Sequence, residues 1–445
     1  MAYRFLDFFT DPVLRAPTIG CMLMCLSAAI TGVMVFLRKQ SLVGEALSHA
    51  AYPGVVIGLL LGSFLGDEGE LALSMGILGG AFATACIGYW LINCLQRRLK
   101  VPADAALCVV LSLFFGAGIT LASRVQFTHP SLYKQIQMYL YGQAATMTDL
   151  HIALYSLLSI VLITTVVLLY KEIKAVSLDT LYAKSLGIPA SMVDGVTMFL
   201  TTFALVVGIR SVGVVLMSAM FIAPAAASRQ FTNRLSRMFM LAAVFGMASG
   251  FLGNYLSVAS LSYFPLTAAI SLPTGPMIVV VAATICILSL LFAPQRGVLL
   301  RYIRARQFKL KSVSENILKM LWRSHPDPES LKRILYSQGI SRRMGRKLLR
   351  QLEQTQLITL DREFASLTPQ GFKQAARIVR LHRLWEVYLA DYLAVGAEKV
   401  HRSAEEMEHI ITPEIEEELI KLLHDPKKDP HHQPIPPKEQ PENLG

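Results

Sequence analysis

RLHRLWEVYLADYLAVGAEKVHRSAEEMEHIITPEIEEELIKLL, residues 380–423, carries imidazole and carboxylate side chains at helical spacing. His382 and Glu386 are four apart; His401, Glu405, Glu408 and His409 follow at i, i+4, i+7 and i+8. A helix turns once per ~3.6 residues, so each set falls along one stripe. Imidazole with carboxylate and no thiol is the donor set of a borderline-to-hard divalent ion: Fe²⁺ or Mn²⁺, with Zn²⁺ also within range. For any one pair the alternative is a solvated face of mixed charge. Six such residues on two nearby stripes favour metal.

Working outward, LTPQG (367–371), LHRLWE (381–386), KVH (399–401), EEMEH (405–409) and PIP (434–436) occur in that order. With them, the segment from about Ser312 to the end resembles the diphtheria-toxin-repressor family of metal-dependent transcription regulators. The resemblance implies an activating metal site at Glu405, Glu408 and His409, and a second at His382, Glu386 and His401. Iron-type members carry Cys where Glu405 stands, so Glu there favours Mn²⁺ or Fe²⁺ over softer ions. The family's N-terminal ligand aligns with Asn316, where Met or Asp is usual.

Composition separates this segment from what precedes it. Of 445 residues, 53% are hydrophobic and 16% charged, with a mean hydropathy of +0.47; a soluble chain is nearer one-quarter charged. The apolar excess is confined to the first 295 or so residues, which implies a membrane domain followed by a soluble one. All six cysteines lie in apolar stretches without a CxxC pair, as small core residues do. The net charge of +11 is carried largely by loop and tail Lys and Arg.

Stretches long enough to span occur near 17–37, 46–66, 73–95, 104–122, 150–170, 190–209, 211–227, 236–258 and 274–293, about nine at roughly 20 residues each. The first is read as a span rather than a cleaved leader. Basic loops (Arg38-Lys39, 96–100, 171–184, 229–237, 296–311) alternate with the acidic or neutral 66–70 and 261–275. Positive charge stays inside, which puts the N-terminus outside and the C-terminus in the cytoplasm.

Within these spans Glu45 and His49 stand four apart in SLVGEALSHAAYPGVVIG (41–58). Ionisable groups in a membrane helix are costly, so a polar path is the default expectation; the alternative is a pair at the watery mouth. The stretch resembles the permease subunits of manganese, zinc and iron ABC transporters, which typically read SLxGDALSHAxLPG. Glu45 takes the usual Asp position on the metal path. SVGVVLMSAMFIAPAAASRQFT (211–232) and TGPMIVVVAATICILSLLFAPQRG (274–297) extend the resemblance over residues 1–297. In DTLYAKSLGIP (179–189), the spacing of Ala183 and Gly187 resembles the coupling helix that docks on the ATPase. No GxxxxGK[ST] occurs, so the chain is expected not to be an enzyme, with ATP hydrolysed by a separate cytoplasmic subunit.

RGVLLRYIRARQFKLKS (296–312) is basic, helical in pattern, and reads as a linker at the membrane surface. PDPESLKRILYSQGISRRMGRKLLRQLEQTQLI (326–358) reads as helix, turn at Gln338-Gly339, helix, and 359–371 as a two-stranded wing. That is a winged helix-turn-helix, with Arg342, Arg343, Arg346 and Lys347 on or near one side of its second helix for DNA.

The expected organisation is therefore an all-α polytopic permease (1–295), a linker (296–312), a winged helix-turn-helix (313–376), a helical metal-binding and dimerisation domain (377–424) and an extended, partly disordered Pro-rich tail (425–445). Such a permease–repressor fusion resembles those of iron uptake. Its expected partners are a cytoplasmic ATPase, a second permease subunit, a periplasmic metal-binding protein, operator DNA and a second copy of the tail. The expected location is the bacterial inner membrane, with the tail released as a soluble fragment by cleavage in the linker. The alternative is a tail that senses metal and gates the permease without binding DNA.

Overall fold

The computed structural model describes residues 6–64, 70–263, 272–392, 407, 409–424 and 426–437. The chain divides into two compact units, residues 1–300 and 301–445.

The first unit is helical. It comprises α1 (Asp7–Thr10), α2 (Pro12–Leu37), α3 (Ser41–Phe64), α4 (Glu70–Arg97), α5 (Ala103–Thr128), α6 (Pro130–Tyr141), α7 (Asp149–Leu168), α8 (Tyr170–Leu178), α9 (Thr180–Ser185), α10 (Ala190–Val212), α11 (Val214–Phe231), α12 (Leu235–Tyr263) and α13 (Thr274–Phe292). Among the described residues, eight helices are long and apolar enough to cross a membrane: α2, α3, α4, α5, α7, α10, α12 and α13. The remaining expected span, 211–227, corresponds to α11, a separate helix of 18 residues with Pro224 inside and Arg229 in its last turn. It parts from α10 at Gly213, whose φ of 96° lies in the left-handed region.

α2, α3 and α10 are mostly buried, whereas α4, α5, α7 and α13 bury only 28% of their apolar spans within the unit. That is the inversion a lipid solvent permits, since lipid tails are as apolar as Leu. Close approach and polar contacts then hold the helices together. A Cβ on Gly54 of α3 would lie 2.1 Å from the Gly80 carbonyl oxygen of α4. Ser27 meets Ser159 at 2.9 Å, Tyr155 meets Ser211 at 2.6 Å, and Asn254 donates to Thr18 at 2.7 Å.

The second unit is built on α14 (Val298–Ser324). Its exposed first half contains most of the expected linker, so 298–312 is regular helix; cleavage there needs local unwinding, unlike at the turn over 294–296. Its second half buries Val313, Ile317, Leu318 and Leu321, spaced as one helical face, into the unit's core.

β1 (Glu329–Ser330), α15 (Leu331–Ser337), α16 (Arg342–Gln354), β2 (Ile358–Asp361) and β3 (Phe364–Leu367) follow. The strands form an antiparallel sheet in the order β1-β3-β2. Gly339 takes a φ of 58° in the turn between α15 and α16. Ser341 caps α16 by accepting from Met344 N. Helix, turn and helix thus fall where the sequence places them, and the hairpin β2–β3 takes up the first part of the expected wing, 359–371, whose last residues open the next helix.

α17 (Pro369–Asp391) runs unbroken through residues 376 and 377, and α18 (Pro413–Leu422) follows. The described part of the tail, 426–437, is folded rather than extended. Asp429 accepts from the backbone N–H groups of His431 and Gln433 at 2.9 and 2.7 Å. Ile435 packs with Leu384 and Val387. Arg380 donates to the Pro436 carbonyl at 2.7 Å, and Arg383 to that of Pro434. The prolines stiffen a segment whose carbonyls two arginines hold, and this overrides its charged composition.

Candidate functional site

In the first unit, α3 presents Glu45 and His49 one turn apart. His49 is 8% exposed, and its ring stands edge-on to Phe115 of α5 at 4.5 Å. Its Nδ1 is buried without a hydrogen-bond partner among the described residues. Buried polar atoms are ordinarily satisfied, so an orphaned imidazole nitrogen needs an explanation. Glu45 is half-buried on the same stripe.

The loop before α10 carries α9, capped by Asp179, whose carboxylate accepts from Leu181 N and Tyr182 N at 2.9 and 3.1 Å. Ala183 is fully buried and pins this helix to its own unit. Gly187 ends the loop helix with a φ of 76°. The exposed apolar surface belongs instead to Leu181, Tyr182 and Leu186, which spacing alone did not single out. Their signal was available: three large apolar side chains in a loop have no fold-level reason to be there.

In the second unit, Arg342, Arg343, Arg346 and Lys347 are all exposed on α16. Arg343, Arg346, Lys347 and Arg350 line one shallow groove with Gln351 and Gln354. Gly345, Leu348, Leu349 and Leu352 hold the opposite face in the core.

Of the expected metal ligands, His401, Glu405 and Glu408 lie outside the described residues. His382, Glu386 and His409 are all buried. Among the described residues, no three His, Cys, Asp or Glu side chains gather as a metal-holding group. What the structure brings to the histidines comes from α14. Glu315 Oε2 lies 2.5 Å from His409 Nδ1, with Lys311 3.7 Å from its other oxygen. The resemblance aligned Asn316 as a ligand position; its neighbour Glu315 is the residue that reaches His409. One turn further on, Lys319 Nζ lies 3.1 Å from His382 Nδ1, and His382 Nε2 lies 3.0 Å from Glu386 Oε1. Beside them an open cavity of about 640 Å³ is lined by Trp322, Arg383, Asp429 and His431, among others. Burial pushes the Arg383 pKa down, and the charges of Asp429 and Glu386 oppose that shift.

Family models match the two units separately. Residues 10–293 match the ABC 3 transport family. Residues 368–437 match the iron dependent repressor, metal binding and dimerisation domain. A probable metal transport system membrane protein of Chlamydia pneumoniae is 35% identical over 97% of this chain and 98% of its own length. The manganese transport system membrane protein MntC of Bacillus subtilis is 30% identical over 83% of this chain and 82% of its own. Among solved structures, PsaBC from Streptococcus pneumoniae in complex with Fab superposes with a TM-score of 0.55 at 25% identity, covering 68% of this chain and 98% of that one.

Proposed function

This chain belongs to the ABC 3 transport family and carries a C-terminal domain like those of iron-dependent repressors; on that premise we propose that it is the permease of a divalent-metal importer whose tail reports metal to DNA. The cargo is Mn²⁺ or Fe²⁺, with Zn²⁺ within the chemistry of the same donors. The observation that carries the transport reading is the buried His49 Nδ1, partnerless among the described residues, one turn from Glu45. An imidazole lone pair and a carboxylate make a site that binds a passing cation without trapping it, as conduction requires. ATP is hydrolysed by a separate cytoplasmic subunit docking on Leu181, Tyr182 and Leu186. A second permease subunit and a periplasmic metal-binding protein complete the importer in the inner membrane, with the C-terminus cytoplasmic.

In the tail, Glu405, Glu408 and His409 hold the activating metal. Glu315 supports that role, because a carboxylate beside Nδ1 takes its proton's hydrogen bond and leaves Nε2 as the donor atom towards a metal. Metal binding then favours the dimer that presents two α16 helices to successive major grooves. The exposed stripe on α16 favours this over a tail that only gates the permease. To test transport, His49→Ala is reconstituted with its ATPase in proteoliposomes and ⁵⁴Mn²⁺ uptake is measured. Uptake is expected to vanish while assembly persists; parental uptake removes His49 from the path.

A further inference from the structure

Of the residues expected to form the second metal site, the two described, His382 and Glu386, are arranged against a metal, and the misfit traces to one side chain. Lys319, His382 and Glu386 are 5%, 3% and 2% exposed, so their contacts are made away from water. A lysine ammonium has three donors and no acceptor. At 3.1 Å from His382 Nδ1 it can only donate, so Nδ1 is the acceptor and the ring proton sits on Nε2. That proton then points at Glu386 Oε1, 3.0 Å away, and completes a chain of two hydrogen bonds. The buried carboxylate is neutralised by the buried ammonium through the ring between them.

A metal held by Nε2 and Glu386 would require the opposite tautomer. Nδ1 would carry the proton and would need an acceptor, as the second ring nitrogen of a metal-bound histidine almost always has. Here it would face an ammonium, donor against donor. Coordination through Nδ1 is blocked by the same amine. The other set shows the reverse polarity. One turn earlier on α14, Glu315 places a carboxylate at His409 Nδ1.

We propose that Lys319 serves as a built-in cation that closes the His382–Glu386 pair to metal, so that the regulatory unit takes one metal per chain, at the His409 set. The inference rests on the reading of the tail as a metal sensor, and its test separates the two.

The full chain, purified metal-free in detergent, is titrated with Mn²⁺, and bound ion per chain is counted by electron paramagnetic resonance. Ion held by the membrane unit is common to all variants and cancels in the comparison. His382→Ala is expected to bind as many Mn²⁺ as the parent. Lys319→Glu, which supplies Nδ1–H with an acceptor, is expected to gain one equivalent, and Lys319→Glu/His382→Ala to lose it again. A loss of one equivalent in His382→Ala, or no gain in a folded Lys319→Glu, overturns the proposal. If Lys319→Glu does not fold, the parent against His382→Ala still decides. His409→Ala tests the sensor reading independently: it should lose one equivalent, and an unchanged count would refute that reading alone.

Discussion

Removing Arg343 and Lys347 together should flatten the salt dependence of DNA binding by an amount that follows from α16 itself. The two side chains lie four apart on the exposed stripe and line the same groove. Arg346 is the poorer choice, because its Nε donates to the Arg342 carbonyl at 3.4 Å. Truncation to Ala leaves the buried face of Leu348, Leu349 and Leu352 untouched, so the helix should stay folded. Each phosphate contact contributes about −0.9 to the slope of log K against log salt, so losing two reduces the slope by about 1.8. Between 50 and 200 mM salt, about 0.6 of a decade, the parent should lose about 12-fold more affinity than the variant. The assay is fluorescence anisotropy of a labelled duplex from the chain's own promoter. The chain is held in zwitterionic nanodiscs with Mn²⁺ present, so that lipid charge does not compete. Equal slopes would refute the assignment of α16 to the phosphate backbone.

Other outcomes follow from particular contacts. Gly371→Ala places a Cβ 1.7 Å from the Leu357 carbonyl oxygen; overpacking against backbone should cost about 1–3 kcal/mol. A lowered melting temperature for the second unit in the full chain would show this, and an unchanged one would contradict it. Leu181→Asp alters a side chain 78% exposed on α9. It should leave permease yield unchanged and abolish co-purification of the ATPase; retained co-purification would move the docking surface elsewhere. An antibody to the C-terminus should detect a soluble fragment of about 15–17 kDa, from the size of such a domain, cut ahead of α14 rather than within it. Full-length chain alone, with the promoter occupied, would mean the regulator works while attached.

Local periodicity carried much of this into the sequence. Apolar runs marked the spans, and Gln338-Gly339 marked the turn between α15 and α16, because each is decided by residues within a few positions. α10 and α11 are two helices, as the two apolar runs 190–209 and 211–227 imply, and Gly213 is where they part. Glu315 and Lys319 were illegible as site residues. Their partners lie 94 and 63 positions away, and only the packing of α14 brings them to His409 and His382. The folded tail was hidden by composition. Proline and charge read as disorder unless Arg380 and Arg383 are known to face the carbonyls of Pro436 and Pro434.

That one chain admits a divalent metal and answers to it at DNA is tested most directly by its affinity for its own promoter with and without metal. The reconstituted full chain should bind the labelled duplex at least about tenfold tighter, some 1.4 kcal/mol, in Mn²⁺ or anaerobic Fe²⁺ than in chelator, and His409→Ala should lose that difference. Equal affinity in metal and in chelator would contradict a metal-dependent regulator.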